Sequence, residues 1–187
     1  LSDSGFSGYL TIRDIIPILE NLYEKFDKSF FQEQIKKFGL PDNKKIKEFS
    51  SGMKAKLKVI AAVSHHAKLL ILDEPTAGLD PKGRDEILKQ IKALQVETGM
   101  TILLVSHSME DMARYADRLM VMNHGEKVFD DTPREVFKHY RELESIGLAA
   151  PQITYIVHEL TERGVLLDVG ITTVEEAREA ILKLLRP

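Results

Sequence analysis

Two short apolar runs without polar interruption, at residues 68–73 and 101–106, constrain this sequence most strongly, because they bracket a helical pattern carrying Ile87, Ile91 and Leu94. Strand, helix, strand with continuous apolar strands is the pattern of a parallel sheet covered on both faces, so the expected fold class is α/β. Upstream the periodicity is helical: Ile12, Ile15, Ile16 and Leu19, then Phe31, Ile35 and Phe38, precede a Gly39-Leu40-Pro41 stop. Pro17 should kink or shorten the first of these helices. After Ser50-Ser51-Gly52, the positions Met53, Leu57, Ile60 and Ala61 predict another amphipathic helix, with Lys54, Lys56 and Lys58 on its wetter sides. Beyond the second run, a short helix at 109–115 and a hairpin from 118–123 and 127–130, turning at His124-Gly125, are expected. The remainder reads as helical. Thr132-Pro133-Arg134-Glu135 and Thr173-Val174-Glu175-Glu176 are capping boxes, with Ile153, Ile156, Val157 and Leu160 as an apolar stripe between them.

At 187 residues and 43% apolar content, the chain can bury one core with an appended subdomain. A net charge of −3 provides no electrostatic footprint for a phosphate backbone, so nucleic acid is not an expected partner. The absence of cysteine removes disulfides and thiolate metal sites and is compatible with a reducing cytosol. No apolar run approaches the roughly 18 residues of a membrane span, so any membrane role is expected to come through a partner. The start at Leu1 rather than Met reads as a mid-protein start. Met109, Met112, Met120 and Met122 are expected as core filler, and His65-His66 as surface.

The chemistry concentrates in Leu69-Leu70-Ile71-Leu72-Asp73-Glu74-Pro75-Thr76, where an apolar strand delivers two adjacent carboxylates to its C-terminal edge. In open parallel sheets ligands bind at that edge. One acid can hold Mg²⁺, directly or through water, while the next polarises an attacking water; Asp73 takes the first role and Glu74 the second. Ser106-His107 ends the second run at the same edge, where an imidazole could hydrogen-bond a terminal phosphate. Phe49-Ser50-Ser51-Gly52-Met53 opens a helix whose free N–H groups favour an anion. Alone, each of these is an ordinary cap or turn. Their order, with Ser50 lying 23 residues before Asp73, is what gives them meaning together.

That order and spacing resembles the ATP-binding-cassette (ABC) ATPases of transporters. In the resemblance, 49–53 is similar to the family's signature motif and 69–74 to its Walker B strand with the catalytic glutamate Glu74. Ala77-Gly78-Leu79-Asp80 is similar to its D-loop, and His107 to its switch histidine. The resemblance implies a partial P-loop NTPase-type parallel sheet with an ABC helical subdomain and a C-terminal helical extension, divided at 1–66, 67–130 and 131–187. It also implies ATP and Mg²⁺ as ligands, with Asp73 on the metal. Two cassettes would sandwich two ATP molecules, with Ser50, Ser51 and Gly52 contacting the nucleotide of the second ATPase subunit and Asp80 relaying between sites. Dimer opening would move transmembrane subunits from the cytoplasmic face of the membrane, where this subunit would sit peripherally.

The sequence departs from the family in having no Gly-x-x-x-x-Gly-Lys-[Ser/Thr] phosphate loop. The intact protein is therefore expected to be a transport ATPase, N-terminally truncated here, and this chain alone to be inactive. Asp3 and Ser4 fall where a glutamine-bearing loop should end, but neither is glutamine, and that role stays unassigned. Phe-Ser-Ser-Gly-Met-Lys resembles exporter-type cassettes. Residues 75–85, 109–123, 132–137 and 142–185 resemble the energy-coupling-factor importers of vitamins and of cobalt or nickel. The composite points to an importer ATPase, with an exporter ATPase or a non-hydrolytic dimerisation partner as alternatives.

Overall fold

Thr11 starts the first helix, α1 (Ile12–Leu22), through a capping box: its hydroxyl accepts from the Asp14 N–H, and the Asp14 carboxylate accepts from the Thr11 N–H. The computed structural model describes residues 6–185, in two compact units divided in the chain between Val105 and Ser106. In the first unit, α1 buries Ile12, Ile15, Ile16 and Leu19. It continues past Pro17, whose ring lies on the exposed face, so the proline does not shorten it. Helix α2 (Lys28–Lys37), capped by Asp27, buries Phe31 and Ile35. A 3-10 turn at Ile46–Glu48 leads to α3 (Ser51–Val63), and Phe31, Ile46, Leu57 and Ile60 are essentially fully buried.

Strand β1 (Leu69–Asp73) runs through α4 (Pro81–Thr98) to β2 (Thr101–Val105), and the strands pair in parallel from Leu69 opposite Thr101 to Asp73 opposite Val105. Gly99, at φ 66°, ends α4 in the left-handed conformation that glycine adopts without a Cβ penalty. The α/β reading holds, and within these residues one face of the strand pair is covered. Leu70 is buried, while Leu69, Ile71, Leu103 and Val105 on the opposite face are 44–61% exposed. Side chains alternate between faces along a strand, so a single covering layer buries only every second residue of a continuous apolar run.

The second unit begins with α5 (Met109–Tyr115), capped by Ser108. The hairpin of β3 (Leu119–Asn123) and β4 (Glu126–Asp131) follows, antiparallel, with a register shift between Val121 and Met122. His124 and Gly125 turn it with φ of 48° and 82°, the two positive values that a tight two-residue hairpin turn demands. Met112 is buried, but Met120 and Met122 are about half exposed, correcting their reading as core: alternation gives the inner face to Leu119 and Val121. Four helices complete the unit: α6 (Pro133–Lys138), α7 (Tyr140–Ser145), α8 (Gln152–Glu162) and α9 (Val174–Leu185). The first expected capping box is only half formed, since the Thr132 hydroxyl caps the Glu135 N–H while the Glu135 carboxylate turns to Lys138. The second is complete, with Thr173 and Glu176 bonding reciprocally. Between α8 and α9, Val157, Leu167, Ile171 and Ala177 form a core joined by Ile153 and Leu160, and Ile156 of the expected stripe stays half exposed.

Candidate functional site

Asp73 closes β1, exposed and opposite Val105. The next residue, Glu74, is partly buried and sits at φ 44°, left-handed for a residue with a Cβ. That conformation costs about 1–2 kcal/mol, and strain of this kind gathers at functional positions. Local bonds hold it: the Glu74 N–H donates to the Val105 carbonyl at 3.0 Å, and the Glu74 carbonyl accepts from the Ala77 N–H at 3.0 Å. The chain then folds tightly through buried Thr76 and Gly78, at φ 72°, to reach Asp80.

Asp80 caps α4. Its carboxylate accepts from the Gly83 N–H at 2.6 Å, with Pro81 at the first helical turn. A Cβ on Gly83 would lie 3.1 Å from that carboxylate, so this tight cap favours glycine. Ser50 caps α3 in the same way, its hydroxyl accepting from the Met53 N–H at 3.2 Å. Both helix starts open on one cavity of about 220 Å³, whose lining includes Ser50, Ser51, Gly52, Leu79 and Asp80. The start of α3 has a neutral cap and no acidic residue in its first turn, so its positive end is left to act on an incoming anion, whereas the Asp80 carboxylate already occupies the start of α4.

The structure thus brings Ser50, Ser51, Gly52 and Asp80 together around one space, although 27 residues separate Gly52 from Leu79 in sequence. Asp73 and Glu74 lie side by side at the end of β1. His107 follows β2 as an exposed residue at the start of the second unit, beside Ser106, whose hydroxyl accepts from the Ser108 N–H. Asp3 and Ser4 lie outside the described residues. No group of three or more potential metal ligands occurs among the described residues. A lone Asp73 is still a sufficient protein donor for Mg²⁺, which keeps several waters and takes its other ligands from phosphates. A larger cavity of about 370 Å³ in the second unit, lined by Lys138–Glu142 and His158, contains none of these residues.

Sequence reasoning missed one lining residue. Lys56 was expected on the wet side of α3, but its side chain is 13% exposed, its ammonium 2.6 Å from Glu86 on α4. His65-His66 divides: His65 is partly buried and stacks on Tyr23 with ring centroids 4.5 Å apart, while exposed His66 lies 3.4 Å from Asp27.

Residues 3–112 match the family model described as "AAA domain, putative AbiEii toxin, Type IV TA system". The chain belongs to this AAA-domain family. Within the family the chain resembles ABC ATPases. Energy-coupling factor transporter ATP-binding protein EcfA2 from Clostridium perfringens is 51% identical over 139 residues, covering 74% of this chain and 49% of that protein. EcfA1 of the same species is 40% identical over 135 residues, covering 72% of this chain and 48% of that protein. The solved structure of cbiO1 from Clostridium perfringens, described as part of the ABC transporter complex cbiONQ, is similar with a TM-score of 0.65. It is 26% identical, covering 85% of this chain and 64% of that one. The AAA-domain chain spans about half the length of the curated relatives it matches.

Proposed function

We propose that this chain belongs to the ATP-hydrolysing subunit of an ABC transporter, of the energy-coupling-factor import type, moving a metal ion or vitamin. The convergence of the Ser50–Gly52 turn and Asp80 on one cavity carries the reading, because a dimer that closes on ATP needs donors at a helix start for the partner's nucleotide, here those of α3, with a second group beside them to link the two sites. Ser50, Ser51 and Gly52 bind the phosphates of ATP held by a second ATPase subunit, and Asp80 relays between the two sites. Asp73 holds Mg²⁺ at the nucleotide. Glu74, in its left-handed backbone conformation directly after β1, polarises the attacking water. His107 senses the terminal phosphate. The division into a partial helical subdomain at 1–66, a catalytic core at 67–130 and a helical extension at 131–187 follows the same reading.

No helix among the described residues is long and apolar enough to cross a membrane. In this reading the subunit couples to transmembrane subunits from the cytoplasmic face of the membrane. The relatives' names as energy-coupling factor transporter proteins support import. The Phe49-Ser50-Ser51-Gly52-Met53 signature favours a second reading, an exporter ATPase.

Mg²⁺-dependent ATP hydrolysis by a full-length protein carrying these residues, measured beside the 187-residue chain alone, tests the proposal. Turnover by the former that stops on chelation of Mg²⁺, with none by the latter, is expected. A full-length protein that binds ATP without hydrolysing it would leave only the dimerisation-partner role, and robust turnover by the chain alone would overturn the dependence on a phosphate loop.

A further inference from the structure

Helices α3 and α4 pack against each other, and Leu57 and Ile60 on one and Ile87 and Leu88 on the other are all buried. Apolar packing is non-directional and does little by itself to set how far one helix slides along another. The Lys56–Glu86 contact supplies what packing lacks. Lys56 lies six residues in from the Ser50 cap of α3, and Glu86 six residues in from the Asp80 cap of α4. At about 1.5 Å rise per residue, both stand roughly 9 Å from their own helix start. The Lys56 ammonium meets the Glu86 carboxylate at 2.6 Å, and a longer contact of 3.5 Å reaches the carbonyl of Phe38, the C-cap of α2, where the helix end is negative. One largely buried cation thus joins three helices.

We propose that Lys56 and Glu86 form a clasp that keeps the starts of α3 and α4 level, so that the anion-facing Ser50–Gly52 turn and the Asp80 carboxylate keep a fixed spacing across their shared cavity. The inference rests on the reading of Ser50–Gly52 as the contact to a partner's nucleotide. Lys56 is a positioning residue: its ammonium already has two acceptors, and it acts by fixing where the Ser51–Gly52 N–H groups stand relative to the Asp80 carboxylate. A slide of one helical turn, about 5.4 Å, would change that spacing by more than the reach of a hydrogen bond.

The chain has no cysteine, so labels are readily placed. Spin labels at the exposed positions Lys58→Cys on α3 and Lys82→Cys on α4 read the helix offset in the 187-residue chain by pulsed electron–electron resonance. A single narrow distance is expected in the parent. Lys56→Met should broaden it by up to about one turn, roughly 5 Å; Glu86→Gln should broaden it less, and Lys56→Arg should keep it narrow. A narrow distribution in both Lys56→Met and Glu86→Gln overturns the clasp. In the full-length protein, Lys56→Met should lower kcat about tenfold or more with little change in KM for ATP, as misplaced but intact contacts do. Broadened distances with unchanged kcat would overturn the functional half of the proposal. Gly52→Asp, which sets a carboxylate in the cavity, separates the underlying reading: if that variant keeps full turnover, the signature contact itself is wrong, whatever the labels report.

Discussion

Glu74 at the end of β1 and His124 at the tip of the β3–β4 hairpin share one unusual backbone conformation, at φ 44° and 48°, for different reasons. His124 is left-handed because a two-residue turn between right-twisted strands requires positive φ at both positions, and Gly125 beside it meets the same demand. The side chain is incidental there. Glu74 has no hairpin to close. Its conformation follows from ending a parallel strand while still donating to the Val105 carbonyl, and the residue so placed carries a partly buried carboxylate. Equal strain therefore serves connection at His124, whereas at Glu74 it follows a strand end, and the proposed catalytic role of the Glu74 carboxylate is what would set the two apart.

Four substitutions sharpen or break that comparison. Glu74→Gln keeps the backbone and removes the base; turnover of the full-length protein should fall by at least about a hundredfold while ATP binding persists. Near-normal turnover would make Glu74 as incidental as His124. Glu74→Gly should abolish turnover equally and raise stability by roughly 0.5–1 kcal/mol, because glycine relieves the left-handed strain. Chemical denaturation reads this second effect, and a loss of stability would mean that the Glu74 side chain supports the fold.

The hairpin has its own electrostatic support. Hydrogen bonds from Arg118 and then Lys127 pull the Asp130 carboxyl down from its ordinary 3.8 to about 2. A carboxyl with a folded pKa below its unfolded one stabilises above the unfolded value, and loses that contribution as pH falls toward the folded one. The melting temperature should therefore drop between about pH 4 and pH 2, and Asp130→Asn should flatten that limb while lowering the plateau above it. A limb unchanged in the variant would assign the acid sensitivity elsewhere. The smallest effect belongs to His124→Gly: a gain of about 0.5 kcal/mol, near 2 °C in Tm, with ATP turnover untouched.

Much of the fold was legible because its signals are local. The capping residues Thr132 and Thr173, the His124-Gly125 turn and the apolar periodicity of α1 and α8 each depend on neighbours a few residues away. Of the site, the Asp73-Glu74 pair was legible because strand and carboxylates are contiguous. Lys56 was not. Helical periodicity places it among solvent-facing lysines, and its partners Glu86 and Phe38 are 30 and 18 residues away. The exposed face of β1 and β2 escaped for a related reason: a continuous apolar run records that both faces can be buried, not which one is.

Residue order alone determined the α/β class, the helix start at Ser50, and the carboxylate pair at a strand end, since each is encoded within one turn or one strand. Tertiary structure decided that the two helix starts share one cavity, that Lys56 joins their helices, and that Leu70 rather than Ile71 faces inward. Those outcomes depend on how apolar surfaces pack between segments tens of residues apart, and hydrophobic burial, being non-directional, leaves that geometry to the assembled chain.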